Sequence, residues 1–296
     1  MINAMTDSRT GQEAPDPADD EPPAPALSGP AGDEPPRTSA LPEPAPLSRR
    51  MLVGEVLVVL ALSLGASAIS ATISFIGAIT ARVSLSRQTA SLITSRADGR
   101  PWLDLAWQLY SLAFALVPVV LVVYLLYRSR ESHRTMGFDA RRPAFDALSG
   151  AGLAAAIGAG GLLVYLVSYQ LGLTVQVKPS ALPENWWTLP VLVLQAAKNG
   201  VLEEVIVVGY LLVRLRQLGW SPAAAIALSS VLRAFYHLYQ GVGMFFGNLV
   251  MGVVFGWFYH RYGRVMPLVV AHTVIDVVAF VGSIYLIGRV DWLPGG

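Results

Sequence analysis

Two adjacent carboxylates, Glu203 and Glu204, sit in LEEVIVVGYLL, a stretch apolar enough for lipid. An ionisable residue at bilayer depth costs roughly 2.5–3.5 kcal/mol on insertion scales. A segment that accepts this cost twice in a row points to groups that are used. Downstream, Arg233 and His237 in RAFYH are four apart, as are His272 and Asp276 in AHTVID. That spacing puts each pair on one helix face. Asn199, four before Glu203, and Tyr210, seven after it, are expected on the Glu203 stripe, with Glu204 turned about 100° away. One carboxylate then faces a cavity and reacts, while its neighbour faces an adjacent helix and holds the structure.

A carboxylate, two imidazoles and an aspartate around one buried space suit three chemistries. Water activation is the first: a buried glutamate is a candidate general base, a histidine can share that role, and a second polar pair can stabilise an oxyanion. Metal binding is the second, since Glu203, His237, His272 and Asp276 form a possible zinc set. Proton or ion transport is the third. The cofactor expectation is accordingly none, or one divalent metal such as zinc. Ser229 and Ser230 lie near His237, but serine in a span usually packs or bonds its own helix. His133 and His260 fall in an arginine-rich loop and at a helix end, and are expected near headgroups or solvent. The chain has no cysteine, which removes thiol nucleophiles, thiolate metal sites and disulfides. HExxH, GxSG and GxGD are all missing, so zinc-protease, rhomboid-type and aspartyl intramembrane signatures are absent.

These groups must be positioned by helices in a membrane. Of 296 residues, 54% are hydrophobic and 14% charged, against about 25% charged in soluble domains. The expected fold is all-α, a polytopic integral membrane protein of about seven, or eight, transmembrane helices. Apolar segments of spanning length fall at roughly 52–79, 103–127, 146–171, 188–213, 222–239, 244–260 and 265–287. The first is long enough to tilt, or to break near Gly77, and 80–101 has room for a short interfacial helix. Glycine and alanine in GLAAAIGAGG (152–161) and GVVFG (252–256) have the spacing that lets helix backbones approach.

Residues 1–48 hold eleven prolines, and residues 1–50 carry nine acidic against four basic side chains. Such a tail is expected to be disordered, and it lacks the pattern of a cleavable signal peptide. The domain division is thus 1–48 for the tail and 49–296 for the membrane body. Basic residues on the connections favour a cytoplasmic N-terminus under the positive-inside rule, eleven against six. Nineteen arginines against two lysines suggest a GC-rich bacterium, hence its inner membrane. Neither half suits nucleic acid.

The motif order resembles the CPBP family, the type II CAAX prenyl protease and bacteriocin-processing (Abi) group of intramembrane proteases. Its pattern is EExxxR on one helix, FxxxH on the next, and HxxxN or HxxxD on a later one. The matches are Glu203–Glu204, His237, and His272 with Asp276, and the resemblance covers about residues 188–280. It implies an endopeptidase, metal-dependent or metal-free, acting on membrane-associated or lipid-modified protein or peptide substrates. Glu203 would activate water with His237, His272 and Asp276 would stabilise the oxyanion, and Glu204 would orient Glu203. The alternatives are a degenerate member acting as scaffold or bacteriocin-immunity factor, and an ion-coupled transporter.

Two positions depart from the pattern. The motif arginine falls on Val208, and the motif phenylalanine on Arg233. An unpaired buried carboxylate is costly. Arg233 is therefore expected to reach across to Glu204 as its charge partner. Asp276 must be protonated, orient His272 or bind a metal, because an ionised carboxylate cannot donate to an oxyanion.

Overall fold

The computed structural model describes residues 47–286 and 289–290; the tail expected over 1–48 lies, but for its last two residues, outside that range. Helices dominate. In chain order they are α1 (Arg49–Ala61), α2 (Leu64–Thr80), α3 (Pro101–Ala115), α4 (Val117–Arg128), α5 (Pro143–Gln170), α6 (Thr188–Glu203), α7 (Leu211–Gln217), α8 (Pro222–Tyr236), α9 (Val242–Tyr262) and α10 (Met266–Leu286). A π-helical segment, Glu204–Tyr210, joins α6 to α7 end to end.

By length and composition four runs among the described residues are able to cross a membrane: Pro101–Arg128, Pro143–Gln170, Val242–Tyr262 and Met266–Leu286. The pair α1 and α2, bent by 50°, makes a fifth if taken as one span. This count is below the expected seven for identifiable reasons. The α8 helix has fifteen residues, about 22 Å at 1.5 Å per residue, short of a hydrocarbon core of about 30 Å. The rod from Thr188 to Gln217 is divided by its π turn.

The first span breaks at Leu62–Ser63, and Gly77 lies undisturbed inside α2. The Ser63 hydroxyl donates to Val59 O at 2.6 Å, a back-bond that bends helices. The stretch 80–101 holds one short 3₁₀ helix, Leu85–Arg87, and an element that was not expected there. It carries a strand, β1 (Thr89–Thr94), paired in parallel with β2 (Gln176–Ala181), with Thr89 opposite Gln176 and Thr94 opposite Ala181. TASLIT mixes small polar and apolar residues and has three β-branched positions, Thr89, Ile93 and Thr94, which suits a half-buried strand better than a helix.

Close helix approach depends on glycines, two of them near the polar residues. A side chain at Gly200 would meet Thr273 Oγ1 at 2.6 Å and Val269 O at 2.9 Å, so only glycine lets α6 lie this close to α10. Gly252 does the same for α9 against Ser230 of α8. In 152–161, by contrast, Gly152, Gly160 and Gly161 face open space; the α5 glycine pressed on α10 is Gly150, just before that stripe. The π segment is at the centre, with Val205, Ile206, Val207 and Val208 fully buried.

Candidate active site

The close contact of α6 and α10 at Gly200 sets the site. One turn further stand Glu203, the last residue of α6, and Glu204, the first of the π segment, and facing them on α10 stands His272. Glu204 is fully buried. Arg233 Nη2 donates to both of its oxygens at 2.8 Å, and His272 Nδ1 donates to Oε1 at 2.6 Å. The guanidinium thus reaches across from α8 to the carboxylate, and Val208 lies in the packed core.

Glu203 has a different environment. Its side chain keeps 11% exposure, against none for Glu204. Tyr236 Oη donates to Oε2 at 2.8 Å, and Arg233 Nη1 lies 3.4 Å from the same oxygen. Among the described residues nothing donates to Oε1. His272 Nε2 sits between Glu203 Oε2 at 3.9 Å and Asp276 Oδ1 at 3.8 Å. Asn199 Nδ2 donates to Asp276 Oδ2 at 2.7 Å, and Lys198 donates to Asn199 Oδ1.

His237 follows the last turn of α8 and is partly exposed. Its Nδ1–H donates to Arg233 O at 3.2 Å, which leaves the Nε2 lone pair unprotonated, within electrostatic reach of Glu203. The serines are otherwise engaged: Ser229 Oγ donates to Val207 O at 2.7 Å and Ser230 Oγ to Ile226 O at 2.8 Å.

Tyr210, expected on the Glu203 stripe, lies elsewhere, its ring 5.3 Å from the Arg214 guanidinium. The π segment explains the difference. Its i→i+5 bonding puts more residues into each turn, so seven residues fall short of two full rotations. Tyr236 was not among the expected site residues. It stands three after Arg233 and one before His237, a spacing that puts it on the Arg233 face.

For a metal, the described residues bring Glu203, Glu204 and His272 together, with ligand atoms within 4.8 Å of one another. His237 and Asp276 of the expected zinc set fall outside that cluster. Both Glu204 oxygens are already taken by a guanidinium, which also lies beside Glu203. The donor set holds a cation of its own and fits a metal poorly.

A carboxylate with one open oxygen, a histidine with a free lone pair, and a second histidine held by a carboxylate can together move protons and stabilise negative charge. The family model described as type II CAAX prenyl endopeptidase Rce1-like matches residues 185–278, from the approach to α6 through His272 and Asp276. No curated protein and no solved structure matches the chain. The match agrees with the resemblance that the motif order carries: over residues 185–278 this membrane protein is similar to the type II CAAX prenyl endopeptidase Rce1-like family.

Proposed function

We propose that the chain is an intramembrane endopeptidase that hydrolyses peptide bonds of membrane-associated or lipid-modified proteins with water activated by Glu203 and His237. The observation that carries this reading is the unequal treatment of two adjacent carboxylates. Glu204 is saturated by Arg233 and His272, while Glu203 keeps an open oxygen in a space still reached from outside. Glu203 Oε1 accepts a proton from water as its oxygen attacks the carbonyl carbon. His237 Nε2 shares that proton and returns it to the leaving amine.

His272, as the imidazolium balanced by the carboxylates around it, donates from Nε2 to the oxyanion. Asp276, accepting from Asn199, orients that ring. Arg233 supplies the fixed positive charge beside the carboxylates, and no metal is called for. The arginines at the ends of α1, α4, α7 and α9 face the cytoplasm of a bacterial inner membrane, with the N-terminus on the same side.

The test compares protein termini in membranes of cells expressing wild type or Glu203→Ala at equal levels. New termini only with wild type are expected, and they name the substrates. Identical termini, with the variant retaining the wild-type phenotype, would overturn the reading in favour of a scaffold.

A further inference from the structure

Next to Glu203, across Tyr236, lies a cavity of about 660 Å³, bounded by α2, the start of β1 and the turn after α8. Its lining is rich in hydroxyls: Ser67, Ser70 and Ser74 from one face of α2, Thr89 from β1, and Tyr236 and Tyr239 from the turn. The Ser70 and Ser74 hydroxyls have no partner among the described residues. Tyr236 belongs to both spaces, because it lines this cavity and its hydroxyl donates to Glu203. Whatever fills the cavity therefore ends beside the open carboxylate.

The strand at its rim has a free edge. Gln176 N–H donates to Gln88 O at 2.9 Å, so Gln88 turns its carbonyl towards β2. By the alternation of a parallel ladder, Thr89 and Ser91 turn their N–H and C=O groups to the opposite edge. Both residues are exposed, and among the described residues β1 pairs with β2 alone. The sheet is held to the site: Val175 N–H donates to Gln240 O at 3.0 Å, and Thr174 bridges Gly241, four residues after His237.

We infer that this cavity binds the unmodified peptide segment of the substrate, extended as a third strand along β1, with small side chains facing the α2 serines. The inference rests on the peptidase reading and adds the chemical class of what is recognised. An exposed strand edge pairs with an extended backbone by main-chain hydrogen bonds. An isoprenoid chain in the same place would leave the Ser70 and Ser74 hydroxyls and the outward main-chain groups of Thr89 and Ser91 without partners, at about 1–3 kcal/mol for each one buried. A peptide backbone offers both donors and acceptors to them.

The test uses the full chain in nanodiscs and an internally quenched peptide library randomised at its central positions, with and without a farnesylated cysteine. Benzoylphenylalanine carried in the peptide, with its cross-links mapped onto wild type and the Glu203→Ala variant, reports capture at α2 or β1 independently of cleavage. Two variants perturb the cavity. Ser74→Trp fills it, and Thr89→Pro removes one outward N–H without touching the Gln88–Gln176 bond. Ile73→Trp, on the exposed face of α2, controls for insertion and folding.

Capture of unmodified peptides on α2 or β1 is expected in both backgrounds, with cleavage by the wild type alone. Ser74→Trp and Thr89→Pro should each lower kcat/KM about tenfold or more through KM, and Ile73→Trp should leave it unchanged. Capture without cleavage keeps the cavity assignment and overturns the peptidase. Cleavage without capture, at wild-type rate in both cavity variants, overturns the cavity and keeps the peptidase. Capture that requires the farnesyl group overturns the peptide assignment, and neither capture nor cleavage overturns both.

Discussion

Two buried arginines, each set between two carboxylates, behave differently. Arg264, in the α9–α10 turn, uses its whole fork. Nε and Nη2 donate to the two Asp146 oxygens at 2.8 and 2.7 Å, and Nη1 and Nη2 each lie 3.1 Å from Asp139 Oδ1. Arg233 crowds its bonding onto one nitrogen: Nη2 serves both Glu204 oxygens, Nη1 reaches Glu203 only at 3.4 Å, and Nε has no partner. The first arrangement is a finished clamp that ties the α9–α10 turn to the start of α5 and the loop before it, with every strong donor spent. The second leaves donor capacity on the arginine and acceptor capacity on Glu203. Unspent hydrogen-bonding capacity in a costly location distinguishes a site from a fastening.

The strongest way to break this contrast is Arg233→Ala. It leaves Glu204 buried without its counter-charge, and about 3–5 kcal/mol of stability should be lost, read from thermal unfolding in micelles. Adding Glu204→Gln should recover part of the loss; independent effects of the two changes would sever the pair. Arg264→Gln should cost less, about 1–3 kcal/mol, and leave the activity per folded molecule unchanged. If activity fell with it, the clamp would be more than a fastening.

Tyr236→Phe sharpens the chamber side. Loss of the hydroxyl on Glu203 Oε2 should lower kcat about tenfold while KM barely moves, a split that a packing defect would not give. The smallest effect expected is a pH dependence at the clamp. Burial pushes the Asp139 carboxyl up, but the Arg141 N–H and the Arg264 guanidinium outweigh it and hold it below the usual carboxylate range. Its contribution is therefore full at neutral pH, declines as pH falls below the unfolded value of about 3.9, and is gone below the folded one. Unfolding midpoints across that range should show an acid-side slope in the wild type that Arg264→Gln flattens.

Much of this was legible in the sequence because the membrane makes polar residues conspicuous. Glu203, Glu204, Arg233, His237, His272 and Asp276 each interrupt an apolar run, and helical spacing alone puts His272 and Asp276 on one face. What stayed hidden depends on long-range pairing or on local winding. The TASLIT strand is fixed by a partner more than eighty residues away, QVKPSA, whose proline argues against a strand. The bend at Ser63 arises from one back-bonded hydroxyl, with no proline to announce it. Tyr236 hid among ordinary aromatics of a span, since a phenol gives little hydropathy contrast.

The π segment also bears on how this sequence can change. With i→i+5 bonding the segment holds one residue more than ordinary winding needs, so deleting one residue between Glu204 and Tyr210 would let the rod revert to an α-helix with its two ends still in phase. Glu203 would keep its place upstream, and Arg214 would keep Glu55 and Glu131, which it contacts at 3.4 and 2.7 Å. A second deletion would find nothing left to absorb it and would turn everything beyond it by about 100°. The π segment is slack on a shaft with two working ends, one aimed at chemistry and the other at a clamp, and it tolerates one lost residue before the two fall out of step.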